Sequence, residues 1–240
     1  MPYFDQGEFD VRCEWGIPGI HQLKPADVII IVDVLSFSTA VNLAVENGAV
    51  IFPYDYKDDS AIEYARQKSA VLAHSRNATN EGFSLSPKSL QRIPRGTRLV
   101  LPSPNGSTLA FAARSSGATV MVGCLRNASA VARNAQEIGR SIAVIPAGEK
   151  WADGTSRFAI EDWIGAGAIL SKLGGSASPE AQSAIASFEQ CHATLRDRIF
   201  ASASGRELVE RGFADDVELA VQFDVSPIVP ILRGDAFESA

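Results

Sequence analysis

The chain has 240 residues, of which 46% are hydrophobic, and its formal net charge at pH 7 is −6. This is enough apolar material for one large domain or two small ones. The acidic balance and the lack of a Lys/Arg cluster argue against nucleic acid as a partner, and no apolar run is long enough to cross a membrane. A small anionic ligand and a homo-oligomer are both compatible with this composition.

The cysteines indicate a reducing environment. Cys13, Cys124 and Cys191 are odd in number and far apart, and no CxxC pair occurs. This pattern favours reduced thiols in the cytoplasm over a disulfide framework. The N-terminus has no charged-then-apolar leader, so we expect no signal peptide.

Residues 27–39 (DVIIIVDVLSFST) carry the strongest local signal. The run Val28–Val32 consists only of β-branched residues, which predicts a strand buried on both faces. Asp33 follows directly, and Ser36 and Ser38 can cap the helix predicted next. Ligands of open α/β sheets bind at this end of the strands, which makes Asp33 a candidate functional carboxylate. The alternative is that Asp33 only accepts backbone hydrogen bonds in a tight turn.

The remaining segments alternate between strand, turn and helix. We predict further strands at residues 8–15, 49–53, 71–73, 98–101, 119–122 and 141–145, and helices at about 57–67, 109–114, 130–138 and 157–172. Such alternation predicts a three-layer α/β/α fold with a largely parallel, mixed central sheet. No clear boundary interrupts residues 1–240, so we predict a single domain, with a weak subdivision at most near 174–179.

The rest of the chain is predicted to contain one long loop and a mainly helical C-terminal part. Residues 74–95 are rich in Ser, Asn, Pro and Gly and predict a long, functional or mobile loop. Helices are expected at 180–188, 191–200 and 204–211, followed by a turn at 213–216. Because Pro227 and Pro230 lie in 225–232, that stretch is predicted to be an edge strand or an extended tail.

Four predicted strands end in polar turns that lead into helices. They are residues 33–39, 103–108, 126–129 and 148–162. If these turns lie on one sheet, several helix N-termini surround a shared crevice, which suits a phosphate or a sulfonate.

The turn Asn105-Gly106-Ser107-Thr108 is the best anion cradle among them. Gly106 allows a close approach of the backbone, and the two hydroxyls add donors. The alternative is a plain turn followed by an N-cap.

Carboxylates supply a second kind of group at these turns, namely Asp33, Glu149, Asp153, Glu161 and Asp162. Mg²⁺ binds a few carboxylates together with waters and substrate oxygens, and it can polarise a phosphate ester. Glu161 and Asp162 have an alternative role, because acids in a first helical turn complement the helix dipole. Because consecutive residues point in different directions around a helix, we expect at most one of these two side chains to point into the site.

The basic residues point to anion binding rather than to zinc. His21, His74 and His192 show no HxxxH or HxH spacing, so a dedicated zinc site is not expected. Arg76 and Arg126 are the arginines best placed to bind an anion through two parallel hydrogen bonds.

Together these motifs resemble the 2-phosphosulfolactate phosphatase family from about Glu14 to Pro230. No single motif is specific, but their order and spacing are. The motifs are 33–39 (DVLSFST), 81–83 (EGF), 105–108 (NGST), 127–128 (NA), 147–148 (AG), 161–162 (ED), 165–167 (GAG) and 212–216 (GFADD).

The resemblance implies an α/β/α fold and a Mg²⁺-dependent phosphatase. Its substrate would be a small phosphorylated acid, 2-phospho-3-sulfolactate, cleaved to 3-sulfolactate and phosphate on the way to coenzyme M in organisms that make it. Asp33, Glu161 and Asp162 would be the catalytic residues, with Asp33 and Glu161 on the metal. The substrate would be held by Arg76, Asn105, Gly106, Ser107, Thr108, Arg126 and Asn127.

Two alternatives and one mechanistic choice stay open. The protein could act on a different phosphorylated metabolite, or it could bind anions on the same fold without catalysis. Asp33 could be a nucleophile, or water could attack directly.

The chain also departs from better-known members, which carry Arg-Ala-Thr where this chain has 36–39 (SFST) and Gly-Glu where it has His74 and Ser75.

Overall fold

The computed structural model describes residues 3–23, 25–55, 59–76 and 82–240. The strands of this part of the chain are β1 (Val11–Cys13), β2 (Val28–Val32), β3 (Val50–Tyr54), β4 (Val71–Leu72), β5 (Arg98–Pro102), β6 (Thr119–Gly123), β7 (Ile142–Pro146), β8 (Glu149–Lys150), β9 (Ser156–Arg157), β10 (Pro230–Arg233) and β11 (Ala236–Ser239). Its helices are α1 (Gly16–Gln22), α2 (Phe37–Glu46), α3 (Asp59–Gln67), α4 (Pro87–Leu90), α5 (Gly106–Arg114), α6 (Ala128–Ile138), α7 (Ile160–Leu170), α8 (Pro179–Cys191), α9 (Leu195–Ala201), α10 (Ala203–Glu210) and α11 (Ala214–Ala220).

One mixed sheet forms the middle layer, in the order β1-β7-β2-β6-β10-β11-β3-β5-β4. The strands β1, β7, β2 and β6 pair in parallel, and so do β3, β5 and β4. The hairpin β10–β11 lies between the two groups and pairs antiparallel with both. Helices cover both faces, so the predicted three-layer α/β/α fold with a largely parallel, mixed sheet is confirmed.

Strand β2 shows why the run of β-branched residues is required. Val28, Ile30 and Val32 belong to one hydrophobic core, and Ile29 and Ile31 belong to the other. All five are at most 1% exposed. Because successive side chains of a strand point to opposite faces, a strand between two cores must be apolar at every position. Its first polar residue, Asp33, then marks the strand's end.

Different helices pack in the two cores. The first packs α6 to α11 against one face of the sheet, and the second packs α1, α2, α4 and α5 against the other.

None of the helices in the described ranges is both long and apolar enough to span a lipid bilayer. Cys13, Cys124 and Cys191 are all free thiols.

The prediction of an edge strand or tail at 225–232 is wrong. Strand β10 is an interior strand, since Ile231 pairs with Met121 of β6 and the other side pairs with β11. Pro230 is tolerated because it is the strand's first residue, where its missing N–H breaks few ladder hydrogen bonds.

The predicted turn at 213–216 is also wrong, because helix α11 begins at Ala214. Phe213 occupies the N-cap, and Asp215 and Asp216 fall in the first turn, where acids favour helix formation. The structure adds elements that the patterns missed: α1, α4 within the predicted loop, and the β8–β9 hairpin. Residues 57–58 of the predicted 57–67 helix and residues 77–81 of the predicted loop lie outside the described residues.

Helices α7 and α8 pack so closely that Gly167 is required. A Cβ at position 167 would lie 2.0 Å from the carbonyl oxygen of Ala184. By contrast, a Cβ at Gly174 would meet the Gln136 side-chain nitrogen at 3.2 Å, which can move away.

We therefore expect Gly167→Ala to lower the free energy of unfolding by about 1–3 kcal/mol, since the helices must separate against a rigid backbone. Gly174→Ala is the matched control and should change it by less than about 0.5 kcal/mol. Urea unfolding followed by circular dichroism measures both. Equal stability of the two variants would contradict this packing.

Candidate active site

Asp33 joins the N-termini of two helices. Its Oδ1 accepts a hydrogen bond from Phe37 N at 3.1 Å, and its Oδ2 accepts one from Gly106 N at 3.0 Å. Phe37 and Gly106 are the first residues of α2 and α5. Asp33 is only 5% exposed and also lines a cleft. Asp33 therefore accepts backbone hydrogen bonds, as the alternative prediction had it, and it also lines the cleft. Its catalytic role stays a prediction.

Gly106 is needed at this junction because Phe37 leaves no space for a side chain. A Cβ on Gly106 would lie 2.2 Å from the Phe37 ring. The glycine lets the start of α5 approach Asp33 closely enough for the hydrogen bond. Gly106 was predicted to bring backbone close to a bound anion; here its N–H donates to Asp33, and its substrate-binding role stays a prediction.

Asp162 ties together the loops after two neighbouring parallel strands. Its Oδ1 accepts a hydrogen bond from Val34 N at 2.7 Å, after β2, and its Oδ2 accepts one from Gly148 N at 2.9 Å, after β7. Glu161 is only 2% exposed and accepts no hydrogen bond from any residue that the structure describes. The two consecutive acids therefore have different surroundings: Asp162 holds backbone, and Glu161 retains its full acceptor capacity.

Glu149 adds a further acid. It begins β8, and its Oε2 accepts a hydrogen bond from Asn105 Nδ2 at 2.8 Å. This bond connects the turn after β7 to the turn after β5. Glu149 was among the candidate carboxylates of the sequence but not among the predicted catalytic residues. Asp153, by contrast, lies in the exposed β8–β9 turn, where it accepts hydrogen bonds from Thr155.

Burial raises the pKa of three of these acids, namely Asp33, Asp162 and Glu149. Burial raises the pKa of Asp33 to about 7, the charges of Glu149 and Glu161 act in the same direction, and the two backbone hydrogen bonds oppose them. Burial, followed by the charge of Asp33, raises the pKa of Asp162. Burial also raises the pKa of Glu149. Like charges have been brought together in a low dielectric, which is costly unless a cation is supplied.

The donor set suits a hard cation, although it does not form a complete cage. Among the described residues, no group of three or more His, Cys, Asp or Glu side chains is arranged to hold a metal ion. Mg²⁺ does not need such a group, because it keeps several waters and takes substrate oxygens as ligands. Asp33 and Glu161 provide carboxylate oxygens only, which is the chemistry that Mg²⁺ prefers.

The cleft has a volume of about 200 Å³. Its lining residues are Asp33, Leu35, Ser36, Arg76, Leu85, Ser103, Pro104, Asn105, Glu149, Ser204, Glu207, Leu208 and Arg211. The predicted residues Asp33, Arg76 and Asn105 thus meet in one cleft.

Arg76 is held at the cleft by several contacts. Its Nη2 donates to Ser36 Oγ at 2.7 Å and to Leu85 O at 3.1 Å. Its Nε lies 3.7 Å from Asp216 Oδ2, and Asp216 also accepts a hydrogen bond from Ser86 at 2.5 Å. Ser36, where the sequence departs from better-known relatives, is therefore a partner of Arg76. The anchoring role of Asp216 had no signal in the sequence beyond its place in the GFADD motif.

Two residues of the predicted anion cradle hold backbone instead. The Ser107 hydroxyl donates to Leu101 O at 2.9 Å, and the Thr108 hydroxyl donates to Pro104 O at 3.0 Å. Neither is among the described residues that line the cleft. Their substrate-binding roles stay predictions.

Arg126 and Asn127 also lie apart from the lining of the cleft. Arg126 donates to Asn42 Oδ1 and Glu46 Oε2, both at 3.1 Å, and to the Gln222 side chain. Asn127 accepts a hydrogen bond from Cys124 N, and its Nδ2 donates to carbonyl oxygens. The turn after β6 is thus occupied by protein groups, and the structure does not bring it together with Asp33.

Helix α10 forms a wall of the cleft that the sequence did not predict. Ser204, Glu207, Leu208 and Arg211 line it. Their spacing of i, i+3, i+4 and i+7 places them on one face of a helix. That spacing also fits an ordinary helix packed on a core, so nothing in the sequence marks this face as part of a site.

Comparison with known proteins shows the family of the chain. A family model described as 2-phosphosulpholactate phosphatase matches residues 18–235. The 2-phosphosulfolactate phosphatase of Methanothermobacter thermautotrophicus is 30% identical over 87% of this chain and 88% of its own length. Probable 2-phosphosulfolactate phosphatases of Carboxydothermus hydrogenoformans and Thermus thermophilus are 30% and 28% identical, covering 87% and 93% of the chain and 88% and 94% of their own lengths. With a family match over most of its length and relatives that are 30% identical, this chain belongs to the 2-phosphosulfolactate phosphatase family.

Proposed function

We propose that the protein is a Mg²⁺-dependent phosphatase that hydrolyses 2-phospho-3-sulfolactate, a small acidic phosphate monoester, in the cytoplasm. The observation that carries this proposal is the placement of Asp33, Glu149 and Arg76 in the lining of one cleft. The family and the names of the relatives support the substrate. The free cysteines support a reducing compartment.

Asp33 and Glu161 are the proposed metal ligands. Glu161 is 2% exposed and accepts no hydrogen bond from any described residue, and its oxygens are not among the fully buried atoms, so they can reach a cation. Asp33 has spare lone pairs on both oxygens, since each accepts one backbone hydrogen bond. When bound, Mg²⁺ supplies charge stabilisation to the phosphate oxygens and orients the ester. Asp162 acts by positioning the loops after β2 and β7.

The other residues of the cleft act on the substrate. Arg76 neutralises a substrate anion, and its fixed contacts hold the guanidinium in place before binding. Asn105 orients Glu149, whose raised pKa suits it to hold a proton near the reacting ester. Both Asp33 oxygens are engaged by backbone N–H groups, which favours a ligand role over a nucleophilic role for this residue.

Metal removal tests the reaction directly. We expect the purified protein to release phosphate from 2-phosphosulfolactate with Mg²⁺ and to lose this activity in EDTA. Asp33→Asn should lower kcat at least about 100-fold, because the charge at the cleft is lost. Asp153→Asn is the matched control in an exposed turn and should keep wild-type activity. A wild-type protein without turnover in Mg²⁺ would refute the proposal and favour a non-catalytic anion-binding protein.

Glu161 and Asp162 are expected to differ when their charges are removed. Glu161→Gln should abolish the rise in melting temperature caused by Mg²⁺, yet leave the melting temperature in EDTA unchanged or higher, because a buried charge is removed. Asp162→Asn should lower the melting temperature in EDTA, since an amide nitrogen then faces a backbone N–H. Thermal denaturation of both variants with and without Mg²⁺ measures this. The assignment is wrong if Asp162→Asn alone removes the Mg²⁺ effect.

The raised pKa of Asp33 gives the metal-free protein a pH-dependent stability. The folded carboxyl keeps its proton until about pH 7, whereas the unfolded one loses it near 3.8. The free energy of unfolding in EDTA should therefore fall as pH rises from about 4 to about 7, by up to about 1.4 kcal/mol per pH unit from this group. Urea unfolding at several pH values should show a shallower fall for Asp33→Asn. Identical slopes would contradict the buried, protonated carboxyl.

A further inference from the structure

Arg211 brings a second guanidinium to the cleft. It lies at the C-terminal end of α10, on the same helix face as Ser204 and Glu207, and it lines the cleft together with Arg76. Both guanidinium groups lie over the ring of Phe213, at 5.4 Å for Arg76 and 5.8 Å for Arg211. One aromatic ring thus contacts both cations.

The two arginines differ in how firmly they are held. The side chain of Arg76 is 12% exposed and contacts Ser36, Leu85 and Asp216. The side chain of Arg211 is 42% exposed, and its Nη1 donates to Glu207 Oε1 at 2.7 Å, one helical turn away. Exposed pairs of this kind are weak, so Glu207 competes only weakly with a substrate anion for Arg211.

The cleft is lined by charged groups of both signs. Asp33 and Glu149 provide the carboxylates on which the proposed metal and phosphate depend. Arg76 and Arg211 provide positive charge without a metal. Burial lowers the pKa of Arg76, the charge of Asp216 opposes this effect, and the charge of Arg211 acts with burial, so the two cations are close enough to repel. An anion with several oxygens, bound between them, would relieve that repulsion.

We propose that Arg211 is the specificity-determining residue that binds the second acidic group of the substrate, the carboxylate or sulfonate that distinguishes phosphosulfolactate from a simple phosphate ester. This inference rests on the proposed function, in which the phosphate lies at the Asp33 end. Arg76 fixes the position of this anion, and Arg211 turns from Glu207 to close on it. The contact is charge-assisted and bidentate, which a lysine reproduces only in part.

Substrates that differ in their acidic groups test this role. We expect Arg211→Ala to raise KM for 2-phosphosulfolactate about 10- to 100-fold. The loss in kcat/KM should be at least tenfold smaller for p-nitrophenyl phosphate, which has neither a carboxylate nor a sulfonate. 2-Phospholactate, which lacks the sulfonate, shows which group Arg211 contacts, and Arg211→Lys should give an intermediate KM. Arg206→Ala is the matched control, since Arg206 is 71% exposed on the same helix and pairs with Glu210.

Glu207→Gln gives a prediction of opposite sign. Removing the competing carboxylate should lower KM for 2-phosphosulfolactate, whereas a merely structural ion pair would make Arg211→Ala and Glu207→Gln behave alike. Equal effects of Arg211→Ala and Arg206→Ala on KM, or equal losses with all three substrates, would overturn the inference while leaving the phosphatase activity intact.

A binding measurement separates this inference from the proposed function. Calorimetry with 3-sulfolactate needs no turnover, and we expect Arg211→Ala to weaken its binding about tenfold or more relative to Arg206→Ala. If the wild type binds 3-sulfolactate through Arg211 but hydrolyses nothing, the proposed function fails and the inference stands. If the wild type does not bind 3-sulfolactate, or both variants bind it like the wild type, the inference fails.

Discussion

The site depends on one carboxylate that is shared by two helix N-termini. Asp33 accepts hydrogen bonds from the first N–H groups of α2 and α5, and the missing side chain of Gly106 makes the second bond feasible. Helix N-termini carry partial positive charge, so they compensate part of the cost of burying this acid. They do not compensate all of it, since the pKa of Asp33 stays raised by burial and by neighbouring acids. The fold thus holds an acid in a position where it still benefits from a cation.

The cleft is lined by both acidic and basic side chains. Acids from the segments after β2 and β7 line it together with arginines from the loop after β4 and the end of α10. Asp216 and Glu207 each face one arginine, so the positive charge is partly neutralised within the protein. A substrate with two kinds of acidic group suits such a cleft, because its phosphate can lie with the metal and its other anion can lie between the arginines.

Much of the fold follows from local patterns, and its exceptions have physical reasons. The apolar run of β2 and the strand–helix alternation predict a mostly parallel layered sheet, which is observed. Strand β10 was misjudged because its prolines suggested an edge, yet Pro230 occupies a first position where an N–H is dispensable. Helix α11 was missed because Asp215 and Asp216 resemble turn residues as much as first-turn acids.

Hydrophobic periodicity and motif order are enough to predict the class of fold, the family, and the position of Asp33 at the end of a buried strand. Which polar turns meet depends instead on how distant segments pack. Arg126 looked equivalent to Arg76, but its guanidinium is occupied by Asn42, Glu46 and Gln222. Arg211 carried no signal, because a side chain on a helix becomes part of a site only through the packing of that helix. Spacing along the chain reports what a residue can do locally, whereas long-range packing selects its partners.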